Sequence, residues 1–413
     1  MESSNKFVYS KTLKDFILFL SCFNFTEAEK EFKKFTKKDY RKLVLKIIEL
    51  RLSGIFIKFI KNHDHVNLKN EIFFKRLVER HSYIVKKNLF AYKDCLQISE
   101  HLEEKKIEHR FLKGIPLALD YYKDINLREI RDIDILIQIK DLSIVFKELG
   151  KMGFYASKNR KVQIENLKID SLQYYDAPEL INKNGTRLEL HFRLGNSRPD
   201  IEEKIREQIF FNSDHSLIGR KRIQVSDPTS NFLHLLYHSS IKEFFNSGPL
   251  YLTDIHFLAN HLDKEVLIKK IKDLGLEKPL LLIINIFNKY SKEKIFFKDK
   301  LLLDFSKKRK GEISCCENLM MNRELGNEFR PLFLANSFSE LLKRSMSFFS
   351  SSRIEHKYLL VSQNNLIWKL QFIKLKEIFT ILVKLLKIKP SSNIFKEIKG
   401  LRKINKLISY EEI

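Results

Sequence analysis

The chain has 413 residues, of which 44% are hydrophobic and 31% charged, and its formal net charge is +24. That length accommodates two or three domains, and only 12 Gly and 8 Pro exclude collagen-like or long low-complexity architectures. Four cysteines, Cys22, Cys95, Cys315 and Cys316, exclude a disulfide-rich secreted scaffold and have no metal-ligand spacing.

The first residues, Met-Glu-Ser-Ser-Asn-Lys, lack the basic-then-apolar pattern of a leader, and no apolar run approaches the ~20 residues of a membrane span. The expected location is cytoplasmic. The basic excess favours a polyanionic partner such as a nucleotide, RNA or anionic lipid. A Lys-, Ile- and Asn-rich composition of the kind an AT-rich coding sequence produces carries the same charge without one.

Residues 10–105 read as helical. Val44, Ile47, Ile48, Leu52, Ile55, Phe56 and Phe59 recur at helical spacing, and so do Phe74, Leu77, Ile84, Leu89, Leu96 and Leu102. The pattern changes near residue 107. Residues 107–113 read as a short strand stopped by Gly114, with Pro116 suited to a first helical turn. A turn at 124–126 leads to a second strand over 132–138. Asp141 is placed to cap a helix through its side chain, and Leu142, Val145, Phe146, Leu149 and Met152 line one face of that helix before Gly153 ends it. Residues 172–175 and 187–194 read as further strands with an Asn182-to-Gly185 turn between them. Asp227-Pro228-Thr229 starts a helical region that continues through 254–262 and 266–290. Residues 305–325 are polar enough to suggest a linker, and Ser350 to Ser352 a second break. Residues 364–389 form a basic amphipathic stretch. A helix packed on the body with its lysines outward is favoured there over one lying on an anionic membrane.

The chemistry concentrates in the second strand. Asp132 and Asp134 are two residues apart, so they project from the same strand face. Adjacent like charges are costly unless a cation neutralises them, which points to a divalent metal and phosphoryl chemistry. A third carboxylate is expected from a neighbouring strand. Glu189 is the natural candidate and Asp176 a weaker one. Glu189 alternatively pairs with Arg187 or Arg193. His191 shares its strand face, where it bonds either an acidic ligand or the surrounding structure. His234 and His238 are one helical turn apart but lack the Glu of His-Glu-x-x-His, which excludes a zinc protease.

Taken in order, Phe111-Leu-Lys113-Gly114, then Tyr122 to Arg128, then Asp132-Ile-Asp134-Ile-Leu-Ile137, then Leu188-Glu189-Leu-His191-Phe-Arg193-Leu194 resemble the bacterial nucleotidyltransferase-like family of the DNA polymerase beta superfamily. The resemblance covers roughly residues 75–260. It implies an α+β fold, a small mixed β-sheet nucleotidyltransferase core flanked by N- and C-terminal helical regions. The divisions expected are 1–105 helical, 106–215 core, 216–304 helical and 305–413 basic and helical.

The resemblance also implies that Asp132, Asp134 and Glu189 are catalytic and bind Mg²⁺, with Lys113, Gly114 and Arg128 as nucleotide neighbours. For Lys113 the alternative is an ordinary surface lysine, and for Arg128 an ion pair with Asp124. His238 and Asp254 match a His and an Asp of the family and are read as structural contacts. The chain departs from the wider superfamily in having Lys113-Gly114 where a Gly-Ser or Gly-Gly turn is usual, and Arg131 where a small residue is common.

The function implied is transfer of a nucleoside monophosphate from a nucleoside triphosphate to an unidentified acceptor, in a setting such as surface-polysaccharide or natural-product biosynthesis. The rivals are a non-catalytic nucleotide- or RNA-binding module with the same fold and a tRNA-directed, toxin-like enzyme. Nucleic acid therefore stays open as a partner, and peripheral membrane contact is the weakest of the partners considered.

Overall fold

In a computed structural model, the described residues are 11–63, 66–69, 71–156, 177, 179–195, 198–295, 300–321 and 393–409. The expected strand at 172–175, Asp176, the break at 350–352 and the basic stretch at 364–389 lie outside them.

The N-terminal region is helical: α1 (Lys11–Ser21), α2 (Phe25–Phe32), α3 (Lys37–Glu49), α4 (Ser53–Asn62), the short α5 (Val66–Lys69) and the long α6 (Ile72–Glu104). Its core explains part of the phenylalanine content. The Phe16 ring meets those of Phe32, Phe35, Phe56 and Phe59 at centroid distances of 5.7, 5.7, 6.2 and 5.6 Å, a range in which aromatic pairs add to plain area burial. This layer is keyed to the rest of the molecule at Gly54, because a Cβ there would collide with the carbonyl oxygen of Asn126. Only glycine permits that approach.

A five-stranded sheet follows: β1 (His109–Leu112), β2 (Ile133–Ile137), β3 (Tyr155–Ala156), β4 (Leu180–Ile181) and β5 (Arg187–His191), in the order β1-β2-β5-β4-β3. It is mixed, with β1 antiparallel and β5 parallel to β2. Between β1 and β2 lie α7 (Gly114–Pro116), its continuation as a π-helix (Leu117–Tyr122), and a loop. Helix α8 (Leu142–Lys151) follows β2.

The period of two decides the two faces of the sheet. Phe111, Ile133, Ile135, Ile137, Leu188 and Leu190 pack with Cys95, Ile98 and Leu102 of α6 and Val145, Phe146 and Leu149 of α8. The other face carries Leu112 and Leu136, which join the core of the later helices, together with Asp134 and its neighbours.

Those later elements are α9 (Pro199–Phe211), the hairpin β6 (Ser213–Ile218) and β7 (Lys221–Ser226), α10 (Pro228–Leu236) running into a second π-helix (Tyr237–Lys242), α11 (Leu250–Leu258), α12 (Lys264–Asp273) and α13 (Glu277–Tyr290). Helix α10 starts as expected: Pro228 occupies its first turn, and Asp227 accepts from the Ser230 amide at 2.9 Å.

Two expectations are corrected. The described part of the supposed linker, 305–321, is helical, in α14 (Lys300–Lys308) and α15 (Lys310–Met321). Ile313, Cys316, Leu319 and Met320 bury a stripe in the main core with α13 and α16 (Asn393–Ser409), and buried Glu317 is neutralised by Lys14 and Lys289. The polar composition concealed an amphipathic pattern. Asp141 makes no side-chain cap, because residues 139–141 form a 3₁₀ turn that already gives it helical dihedral angles. No helix among the described residues is long and apolar enough to cross a membrane.

Candidate active site

The site begins where β1 ends. Lys113 follows Leu112 with φ +51° and ψ −109°, a conformation that normally belongs to glycine. A non-glycine residue held there stores strain of about 1–3 kcal/mol, and such strain clusters at functional positions. The turn sends the Lys113 ammonium across the sheet, where Nζ donates to Asp134 Oδ1 at 2.5 Å.

Strand register assembles the remainder. Asp134 faces Leu112 on one side and Glu189 on the other, and Leu136 is paired with His191. His191 Nε2 donates to Asp134 Oδ1 at 2.7 Å and lies 3.6 Å from Glu189 Oε2. One oxygen of Asp134, one of Glu189 and a nitrogen of His191 lie within 4.8 Å of one another, a set that can hold a metal ion. Neither Arg187 nor Arg193 is the ion-pair partner of Glu189; Arg187 pairs with Glu179 at 3.3 Å instead.

The charges here are unbalanced. Burial opposes ionisation of Asp134, but Lys113 and the His191 hydrogen bond outweigh it and hold that carboxyl well below its ordinary range. Burial, with Asp134 and Asp132 adding repulsion, pushes Glu189 up to about 7. Asp132 is raised as well, by burial and then by Asp134, against the pull of Lys113, Arg51 and Arg131. Burial lowers His191 and keeps its ring neutral. Lys113 loses by burial yet ends above its ordinary value because Asp134 and Glu189 surround it.

A second cluster forms the floor. Arg128 donates from Nε and Nη2 to Asp254 Oδ1 and Oδ2 at 2.8 and 3.0 Å, and the Tyr122 hydroxyl donates to Asp254 Oδ1 at 2.7 Å. The expected partner of Arg128, Asp124, instead accepts from the amide and side chain of Asn126. The remaining nitrogen of Arg128, Nη1, lies 3.0 Å from where a Gly114 Cβ would stand. A pinned guanidinium cannot move aside, so Gly114 is required by close approach.

Lys113, Gly114, Arg128, Asp134 and Asp254 line a cleft that spans about 750 Å³ with the solvent at its mouth, together with Asp132, Arg51, Arg131, His234, His238 and Tyr251. His234 and His238 come from α10 and the π-helix that continues it; widened turns of this kind recur at functional sites. Burial, with Lys113 adding repulsion, holds both histidines neutral, well below their ordinary value.

Of the sequence candidates, Asp132, Asp134, Lys113, Gly114 and Arg128 all line this cleft, and Glu189 joins Asp134 through the strand register. Asp132 lies one residue before β2 and is not among the three residues whose ligand atoms cluster most tightly; His191 takes that place.

Two residues were missed. Arg51, at φ +63° where α3 gives way to α4, enters the cleft from outside the core and donates to the Ser247 carbonyl. Asn88, buried in α6, donates to the carbonyls of Ile125 and Arg128 and accepts from the Ile130 amide, and so fixes the loop that presents Arg128. Its signal was legible as a lone amide in the apolar stripe Ile84, Asn88, Ala91, Cys95.

A family model described as an uncharacterised nucleotidyltransferase matches residues 36–291, well over half of the chain. The chain belongs to that family. It is an enzyme of the transferase class, and the α+β fold with a small mixed sheet between helical regions is the one expected for it. The match begins at Thr36, just before α3, and so takes in Arg51 and Gly54 as well as the sheet. No curated protein matches the chain.

Proposed function

We propose that the protein transfers a nucleoside monophosphate from a nucleoside triphosphate to an acceptor, in the cleft between the Lys113-Gly114 turn and the His234–His238 wall. One observation carries this reading: Asp134, Glu189 and His191 offer ligand atoms within 4.8 Å of one another, with Asp132 beside them and more negative charge than Lys113 alone offsets. Such a donor set fits a divalent cation. Mg²⁺ is the expected ion, and the imidazole makes Mn²⁺ its natural competitor. When bound, the metal supplies charge neutralisation for the triphosphate and for the departing pyrophosphate.

The side chains divide the remaining work. Asp132, Asp134 and Glu189 would hold the cation. Ligation through His191 Nε2 requires the tautomer protonated on Nδ1, so metal binding and the present bond to Asp134 exclude each other. Arg51, Lys113 and the Nη1 of Arg128 give the cleft three cationic groups for phosphate oxygens. An acceptor oxygen forms a bond to the α-phosphorus, the bond from that phosphorus to the bridging oxygen breaks, and pyrophosphate leaves. The proton of a hydroxyl acceptor passes to the Glu189 carboxylate. The setting proposed is biosynthesis of a surface polysaccharide or natural product.

A non-catalytic binding module is the second reading. It is favoured by the Lys113 ammonium, which already occupies Asp134 Oδ1. Incubation with each α-labelled nucleoside triphosphate, Mg²⁺ and cell extract separates the two, beside an Asp132→Asn/Asp134→Asn control. Label transfer by the wild type alone supports the enzyme reading. Transfer that survives the double substitution removes these residues from the site, and no transfer with any nucleotide favours the binding module.

A further inference from the structure

A second hollow adjoins the cleft at Arg131 and Asp132. Its volume is about 290 Å³, and Asp132 and Arg131 line both spaces. Its apolar lining is Ala91, Ile130, Ile133 and Phe90, and three cations, Lys87, Arg131 and Arg187, stand around it. Asp132 is the one acidic residue among its described lining residues.

The hollow is built from fixed parts. The Asn182 side chain accepts from the amides of Asn184 and Thr186 at 3.0 and 3.1 Å, and donates to buried Asp94 at 2.9 Å, which locks the turn that forms one wall. Gly185 in that turn has φ +77°, and a Cβ there would lie 3.7 Å from Lys87 Nζ. Its absence keeps the space before the ammonium open. Phe90 is 45% exposed on α6, unusual for a large aromatic ring. Lys87 Nζ rests over the Tyr83 ring at 5.3 Å, and exposed Arg187 is shared with half-buried Glu179.

Three converging cations beside an exposed ring suit a compact anion on a flat or ring-sized group. The hollow is a shallow recess open to solvent and much smaller than the cleft, with room for a phosphate group rather than a whole nucleoside triphosphate. A polymer strand calls for cations spaced along a groove, and here they meet around one hollow.

We propose that this hollow is the acceptor subsite and that it takes a phosphate monoester on a ring-sized group: a phosphorylated small acceptor whose ring lies on Phe90 and whose phosphate lies among Lys87, Arg131 and Arg187. The assignment rests on the nucleotidyl-transfer reading, and it puts the two substrates in adjoining spaces that meet at Asp132.

The test uses the full chain with Mg²⁺ and a non-hydrolysable α,β-methylene nucleoside triphosphate, with phenyl phosphate as the acceptor probe and benzyl alcohol as its uncharged counterpart. Calorimetry is expected to show phenyl phosphate binding to the analogue-loaded protein and benzyl alcohol binding at least tenfold more weakly. Lys87→Ala and Arg187→Ala, made separately, are each expected to weaken phenyl phosphate about tenfold with the analogue affinity unchanged, which also reports that each variant is folded.

Displacement of the analogue by phenyl phosphate places both in one cleft and overturns the proposal. So does binding indifferent to both substitutions, equal binding of benzyl alcohol, no binding of phenyl phosphate, or preferential binding of a single-stranded oligonucleotide that both substitutions abolish. Failure of the analogue itself to bind, or its binding unchanged by Asp134→Asn, counts against the nucleotidyl-transfer reading, and the phenyl phosphate result is then read by itself as evidence on the hollow.

Discussion

Two charge clusters meet at one cleft, one sealed around Asp254 and one partly open to solvent around Asp134, and they are built differently. Around Asp254, one guanidinium meets one carboxylate through two hydrogen bonds, and a tyrosine hydroxyl takes up a further lone pair. Around Asp134, three carboxylates gather; Lys113 bonds Asp134, Arg51 and Arg131 act on Asp132 by charge, and the imidazole beside them is held neutral. The first is complete without a ligand. The second carries charge that folding alone does not neutralise, and Glu189 answers by rising to about 7. A balanced buried pair is scaffold, whereas an excess of one sign at the wall of an open cleft is a place prepared for an opposite charge from outside.

The sharpest way to break this contrast is Asp134→Asn. Loss of a metal-holding carboxylate is expected to reduce transfer by roughly a thousandfold, about 4 kcal/mol of barrier. The fold should persist at a lower melting temperature, because Lys113 loses its bonded carboxylate but keeps Glu189 and Asp132 nearby. Initial rates of pyrophosphate release, measured beside the melting temperature, check both halves. An active variant would remove the unbalanced cluster from the chemistry.

Asp254→Asn asks the opposite question. It strands the Arg128 guanidinium in the interior, and breaking one side of a buried pair costs about 3–5 kcal/mol. Chemical denaturation should register that loss. Arg128→Met/Asp254→Leu, which removes both charges, should recover much of it. If the single substitution leaves stability intact, the pair is not the closed structural unit its hydrogen bonds describe.

A divalent cation should act on the first cluster alone. At a free concentration about 100 times its dissociation constant it is expected to stabilise the fold by about 2.7 kcal/mol. A thermal shift with Mg²⁺ or Mn²⁺ that EDTA reverses, that Asp134→Asn abolishes and that Arg128→Met/Asp254→Leu retains would sharpen the comparison. Equal shifts in both variants would mean that the ion binds elsewhere.

The two clusters were not equally legible. Local period-two spacing put Asp132 with Asp134 and Glu189 with His191, and strand pairing then brought Asp134 beside Glu189. The Arg128–Asp254 pair spans 126 positions, and no local pattern joins its halves. The sequence reading accordingly chose Asp124, four residues away. Backbone features were equally hidden: Lys113 and Arg51 adopt positive φ although neither residue type favours it, and α10 widens into a π turn without a proline or glycine at the junction to mark it. The helical character of 305–321 was missed for another reason, since charge along the stretch masked the spacing of Ile313, Cys316 and Leu319. Local periodicity reveals which face a residue occupies, but tertiary placement decides which residue it meets.

His234 and His238, between the two clusters on the cleft wall, give the smallest expected effect. Burial holds both neutral in the folded chain, well below the ordinary histidine value. Below about pH 6.5 the unfolded chain therefore binds protons that the folded chain does not. Stability must rise with pH through that window and fall as pH drops below it, by roughly 1 kcal/mol per histidine for the first pH unit. Denaturant midpoints at pH 7 and 5.5 measure the fall in the wild type, and His238→Gln should shrink it by about half of the two-histidine share. An unchanged fall in the variant would mean that His238 is protonated in the folded state, and that the wall of the cleft is solvated like the unbalanced cluster rather than sealed like the balanced one.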